Sequence, residues 1–247
     1  MNEMKKIFST LFVAATMLSA CTNDNILDVA SYGYLSLGLT TDNTVTTRAV
    51  QSVGDLSTWI VKVGDTNYTG PSQKFAAGPY TVTASNYANL ATANAANENW
   101  GDAYYSGSTP VTLAAGETEN VTVVCGTAKN ARLAVSFSLN AAITNCTLTA
   151  KKGDNDLVFN ASNASTAKAY YDAGSTVNYS VSYTYGGATK TLTGKSVTLG
   201  TAATEKKINI TANDNGTITI SVSYDDTFGD GGSDTITIDA ATGNEVV

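Results

Sequence analysis

Downstream of residue 30 the chain alternates apolar and hydroxylic positions. Leu133, Val135, Phe137 and Leu139 are separated by Ala134, Ser136 and Ser138. Val177, Tyr179, Val181, Tyr183 and Tyr185 are separated by Asn178, Ser180, Ser182 and Thr184, and Ile218, Ile220, Val222 and Tyr224 by Thr219, Ser221 and Ser223. A period of two puts the apolar members on one face of a strand and the hydroxyls on the other. One wet face marks antiparallel sheets, since parallel strands covered on both faces read as unbroken apolar runs. Tyr185-Gly186-Gly187 and Asn215-Gly216 stand between such runs, with residues that tolerate the positive φ of tight hairpins. No helical period is sustained, and 91–96 is a candidate only for a helical turn within a loop. The fold class expected is all-β.

The runs also occur twice. Gly33-Tyr-Leu-Ser-Leu-Gly-Leu echoes Ala131-Arg-Leu-Ala-Val-Ser-Phe, and Phe75-Ala-Ala-Gly-Pro-Tyr-Thr-Val-Thr echoes Tyr171-Asp-Ala-Gly-Ser-Thr-Val-Asn-Tyr. Val111-Thr-Leu followed by Val121-Thr-Val echoes Val197-Thr-Leu followed by Ile208-Asn-Ile. The offsets are 98, 96 and 86 to 87, so order is kept while loop length varies. The expectation is two tandem antiparallel β-sandwiches, residues 31–128 and 129–247, with the crossing near 126–130. The second copy gains a final hairpin over 217–224 and 234–240.

Residues 1–20 read as a lipoprotein signal peptide. Lys5 and Lys6 precede an apolar stretch from Ile7 to Leu18, too short for a spanning helix of about 20 residues. Leu18-Ser19-Ala20-Cys21 then matches the bacterial lipobox, which makes Cys21 the lipidation site and 21–30 a tether. Acyl chains bind at about 0.8 kcal/mol per buried methylene, ample for a stable anchor. Without the leader the chain holds 12 basic and 20 acidic groups, a net of −8, which anionic headgroups repel. Lipid, then, is what holds the protein. Thr22 rather than Asp follows the cysteine, and the address expected is the outer membrane, facing the cell surface.

Composition narrows the chemistry. The chain has no histidine, which removes imidazole as base, proton shuttle or zinc ligand. A net charge of −7 with only two arginines, Arg48 and Arg132, argues against nucleic acid as a partner. Gly-x-Ser-x-Gly does not occur, and Ser-x-x-Lys occurs only once, at Ser165 to Lys168. No enzyme activity and no required cofactor are expected.

Three constellations remain. Asp225, Asp226, Asp230 and Asp234, interleaved with Gly229, Gly231 and Gly232, are either a candidate calcium loop or a solvated acidic turn. Trp100, Tyr104 and Tyr105 in the 94–108 loop are a candidate glycan platform, since planar rings offer sugars an apolar surface beside Asn and Asp. Trp59 alternates with Val61 and Val63 and reads as core. Cys125 and Cys146 are either a disulfide or two buried thiols.

Together the lipobox, the 33–37 strand, Thr47-Arg48-Ala49, Ala77-Gly-Pro-Tyr-Thr-Val-Thr-Ala84, Tyr104-Tyr-Ser-Gly-Ser108 and Val121–Cys125 resemble a Bacteroidetes surface lipoprotein family of unknown function. More broadly the chain is similar to the fimbrillin-like lipoproteins of that phylum. The resemblance implies transthyretin-like or immunoglobulin-like sandwiches on the cell surface, and no activity. In fimbrillins a protease cuts at a comparable arginine and the lost first strand is replaced by a neighbour's. Carried over, Arg48 is the processing site and residues 32–40 the released strand, completed by β-augmentation. Asp234-Thr235-Ile236 resembles the O-glycosylation pattern of exported Bacteroidetes proteins, making Thr235 a candidate. The function expected is a lipid-anchored, non-catalytic binding or structural module, fimbrial or adhesin-like, whose partners are other surface or pilus subunits. The alternative is a glycan-binding accessory lipoprotein of a polysaccharide uptake system.

Overall fold

The computed structural model describes residues 31–40, 58–70, 73–213, 215, 217–225 and 230–243. The leader, Cys21, the tether, Arg48 and Asp226 lie outside these residues.

The first half of the chain forms β1 (Tyr32–Thr40), β2 (Ile60–Val63), β3 (Thr66–Asn67), β4 (Gln73–Ala76), β5 (Gly78–Ser85), α1 (Leu90–Ala95), β6 (Ser106–Leu113) and β7 (Thr118–Val124). These make one sheet in the order β4-β1-β7 and another in the order β3-β2-β5-β6. The second half forms β8 (Asn130–Ser138), β9 (Ile143–Lys152), β10 (Asn155–Asn160), β11 (Ala169–Asp172), β12 (Thr176–Tyr185), β13 (Ala188–Thr198), β14 (Glu205–Ala212), β15 (Thr217–Asp225) and β16 (Asp230–Asp239). Its sheets run β11-β8-β14-β15-β16 and β10-β9-β12-β13. Strand for strand, β1 to β7 repeat as β8 to β14, and the hairpin β15–β16 is the addition.

The repeat holds at the level of register. Gly33 faces Phe75 as Ala131 faces Tyr171, and Leu37 faces Val121 as Val135 faces Ile208. One residue slips after the Gly78 and Gly174 turns: Tyr80 pairs with Val111 whereas Val177 pairs with Val197, so Val82 corresponds to Tyr179. Turn chemistry is shared too. Gly64-Asp65 and Gly153-Asp154 close equivalent two-residue hairpins with φ of 57° and 59° at the glycines, as a turn with glycine first requires. Gly186 and Gly187, both at positive φ, close the β12–β13 hairpin expected from sequence.

Both sandwiches are antiparallel except at one pair. β1 runs parallel to β7, and β8 parallel to β14. Periodicity gave no sign of this, because the partners are joined by most of a domain and no turn constrains their direction.

Apolar members of the alternations meet between the sheets. Leu35, Val61, Val63, Phe75, Val82, Ala84, Leu113, Val121, Val123 and Cys125 form the first core, with Trp59 packed against it as its alternation requires. The second core is larger and includes Leu133, Val135, Leu148, Phe159, Tyr179, Tyr183, Ile208, Ile210 and Ile218. The helical turn expected over 91–96 is α1, capped where the Asn89 side chain accepts from the Thr92 N–H at 2.8 Å.

Candidate functional site

The first strand is an inner strand. Pairing with β4 on one side and β7 on the other, β1 supplies Leu35, fully buried, and Leu37 and Leu39, which pack on the first core. Its N-terminal end is tied by backbone bonds: Gly116 N–H to the Tyr32 carbonyl, Tyr34 N–H to the Glu117 carbonyl and Ala77 N–H to the Ser31 carbonyl, each 2.8 Å. The Tyr68 hydroxyl donates to the Leu35 carbonyl at 3.1 Å. A Cβ at Gly33 would stand 2.5 Å from the Ala114 carbonyl oxygen, so only glycine fits where the β6–β7 turn crosses the strand. Withdrawal of β1 leaves β4 and β7 without a shared neighbour and empties an apolar row. Each fully buried leucine in such a row contributes about 1.5–3 kcal/mol.

The loop carrying α1 is the joint between the sandwiches. Asn130, 1% exposed at the start of β8, donates to the Asn94 side-chain oxygen at 2.9 Å and to the Asp102 carbonyl at 2.7 Å, and accepts from the Tyr104 N–H at 3.0 Å. Asn94 in turn donates to Asp172 of β11 at 2.8 Å. Lys152, at the end of β9, donates to the carbonyls of Asn94 and Asn99 and lies 5.0 Å from the centre of the Tyr171 ring. Burial pulls its ammonium down to about 8, with Asp172 acting the other way. Gly101, at φ 80°, lets the loop turn here, since a Cβ would meet the Asn94 carbonyl oxygen and the Tyr170 Cβ at 2.9 Å. These bonds tie the loop carrying α1 to β8, β9 and β11 of the second sandwich.

The rings expected as a single platform face three ways. Trp100 sits edge-on to Phe159 of the second core, with centroids 4.8 Å apart at 84°, and its carbonyl accepts from the Tyr170 N–H. Tyr105 packs on the first core. Tyr104 lines a cleft on the outer face of the first sandwich. Trp100 also borders a groove of about 450 Å³ with Asp102, Asn163, Lys168 and Tyr170, but both Asp102 oxygens and the Asn163 amide already bond within the chain.

The two thiols are free. Cys125 lies in the first core and Cys146 in the second, so no bridge joins them. Burial pushes the Cys146 thiol up to about 11, and it raises Cys125 against the opposing pull of Lys129. Around the acidic turn, Asp225 pairs with Asp230 and Val222 with Asp234 between β15 and β16, which carries Thr235 opposite Ser221. Among the described residues no group of three acidic or thiol side chains is placed to hold a metal ion.

A family profile described as a domain of unknown function, DUF4493, matches residues 31–242, covering both sandwiches. The chain belongs to the DUF4493 family. No curated protein matches it. Among solved structures, the chain is similar to a fimbrial assembly protein from Parabacteroides distasonis, at 12% identity and a TM-score of 0.42 over 83% of this chain and 98% of that one. It is similar also to a candidate adhesin from Bacteroides thetaiotaomicron, at 10% identity and a TM-score of 0.40 over 80% and 97% of the two chains.

Proposed function

We propose that this DUF4493 chain is a non-catalytic interaction module that reaches the cell surface lipid-anchored through Cys21, is released from that anchor by a cut after Arg48, and then works as a fimbrial or adhesin-like subunit by exchanging its first strand. The observation that carries the reading is the place of β1. It is the middle strand of a three-stranded sheet, holds Leu35 in the core, and continues into the stretch that contains Arg48. A cut after Arg48 severs β1 from the sandwich it completes, leaving only non-covalent contacts to hold it. The vacated groove between β4 and β7 then offers backbone groups on both sides and an apolar floor. That is the acceptor a strand from a neighbouring subunit requires.

The test is made on cells carrying the native chain. The expected result is SDS-resistant ladders of surface material, a mature N-terminus at Ala49, and loss of the ladders in Arg48→Ala with lipidated monomer retained. Finding only Cys21-acylated monomer in the membrane fraction of wild-type cells would overturn the reading.

A further inference from the structure

The outer face of the sheet β3-β2-β5-β6 carries a cleft of about 630 Å³. Register places Lys62, Thr83 and Ser108 side by side on three successive strands, and Ile60, Ser85 and Ser106 on the adjoining rung. These positions alternate with Val61, Val63, Val82 and Ala84, which enter the core, so both rungs face out. Tyr104, Val124 and Lys129 complete the lining, and the Lys129 N–H donates to the Tyr104 carbonyl at 2.7 Å, so ring and ammonium come from adjacent chain segments. Among the described residues the lining holds two lysines and no carboxylate, in a chain whose net charge is −7.

The second sandwich shows what this position looks like when its charge is cancelled. Lys151 occupies the place of Lys62 and faces Asp156 across the β9–β10 hairpin, 2.6 Å from its carboxylate. Lys62 faces the neutral Asn67 across the β2–β3 hairpin. The first sandwich therefore leaves its lysine available to an external anion.

We propose that this cleft binds an acidic saccharide. Ammonium groups of Lys62 and Lys129 meet its carboxylates or sulfates. The hydroxyl rungs meet its hydroxyls, and the Tyr104 ring with the half-exposed Ile60 and Val124 meets its C–H faces. A peptide fits less well, because β2 and β5 are paired on both sides and the outer edge of β6 is taken up by β7: Thr109 donates to the Thr122 carbonyl at 3.0 Å, and Gly107 lies against the Val124 carbonyl. The cleft lies mainly on the sheet opposite β1, and of its lining only Val124 pairs with β1, through Thr40.

Affinity electrophoresis of the uncut chain after the signal peptide, with β1 in place, decides the matter, in gels cast with alginate, dextran sulfate or neutral dextran. Retardation by an acidic polysaccharide and not by dextran is expected. The double variant Lys62→Ala/Lys129→Ala should lose about tenfold or more in affinity, a loss in keeping with two charge-assisted contacts. Tyr104→Ala should lose affinity while keeping the salt dependence, and Lys151→Ala should match wild type. Melting curves of all variants should coincide with that of wild type. Equal mobility of wild type in the three gels would overturn the proposal, as would retardation of the double variant or of Tyr104→Ala equal to that of wild type. Displacement of the polysaccharide by poly-glutamate at equal charge would also overturn it, and would assign the cleft to an acidic peptide.

Discussion

The two sandwiches trace the same seven-strand path but treat the outer edge of the seventh strand differently. In the first, β6 folds against β7. Gly107 approaches so closely that a Cβ would stand 2.0 Å from the Val124 carbonyl oxygen, and Thr109 bonds to the next free carbonyl along the strand. In the second, β14 takes β15 and then β16, lengthening the sheet to five strands. Register pairs Ala84 with Gly107 and Val181 with Leu192, so the glycine that admits β7 is replaced by a leucine packed on the second core. An exposed strand edge invites unwanted pairing, and either closure removes it. Pro110, which has no N–H to donate, is accommodated because β6 is the outermost strand of its sheet. The difference also separates the cores, ten buried residues in the first against twenty-one in the second among the described residues. Less burial makes the first half the easier one to open.

The largest expected effect is at the closure itself. Gly107→Leu puts in the first sandwich the residue the second uses, and should cost about 3 kcal/mol or more through overpacking. Urea denaturation with hydrogen-exchange readout should show protection lost in β6 and β7 and kept in β12 to β14. The converse Leu192→Gly lacks a backbone clash and should cost only about 2 kcal/mol, from lost packing. Equal effects of the two changes would mean that the edges are not closed differently.

Next comes the matched pair Leu35→Ala and Leu133→Ala, two fully buried residues at equivalent places. Each should cost about 3 kcal/mol. Because its core is smaller, the first sandwich should lose exchange protection throughout in Leu35→Ala, whereas Leu133→Ala should leave the second sandwich folded but weakened.

The buried thiols give a pH dependence. The folded chain holds the Cys146 proton more tightly than the unfolded chain, with a pKa of about 11 against 9. The resulting stability is whole below pH 9 and is lost as pH rises toward 11, an effect of about 2–3 kcal/mol. Cys146→Ala should flatten the stability curve over that window. Cys125→Ala should flatten it less, because Lys129 opposes the effect of burial there. Lys152 acts in the opposite sense. Its folded pKa of about 8 lies below the ordinary 10.5, so its contribution grows as pH rises between those values. Lys152→Met should remove that rise.

A smaller effect is expected at the joint. Asn130→Ala strips partners from the Tyr104 N–H and the Asp102 carbonyl, at about 2 kcal/mol for buried groups left unbonded. Faster exchange at the Tyr104 and Tyr170 amides, with both sandwich interiors unchanged, would identify the joint as the part affected.

Much of this architecture was legible in the sequence, because alternation and turn residues act locally. The three echoes in the sequence became paired registers, and Gly186-Gly187 and Asn215-Gly216 both mark hairpins between neighbouring strands. What could not be read was non-local. Nothing near residue 33 says that β1 will lie parallel to β7, and nothing near Gly107 says that a carbonyl will press on it. The aromatic loop misled for the same reason. Trp100, Tyr104 and Tyr105 are neighbours in sequence, yet they serve the second core, a surface cleft and the first core. Cys125 and Cys146 fitted either a bridge or buried thiols because strand alternation is the same in both cases. Their separation follows from which half each strand joined. The cleft around Lys62 was missed because its meaning comes from a cross-strand comparison, Asn67 against Asp156, that exists only once the hairpins are aligned.

Locking β1 in place tests strand exchange most directly. Gly38 and Thr122 are paired across β1 and β7, and both are exposed, so Gly38→Cys with Thr122→Cys offers a geometry in which a disulfide can form. On cells that carry this double variant, SDS-resistant ladders should be absent under oxidising conditions and return on reduction. Ladders that form equally with the bridge closed would contradict an exchangeable first strand.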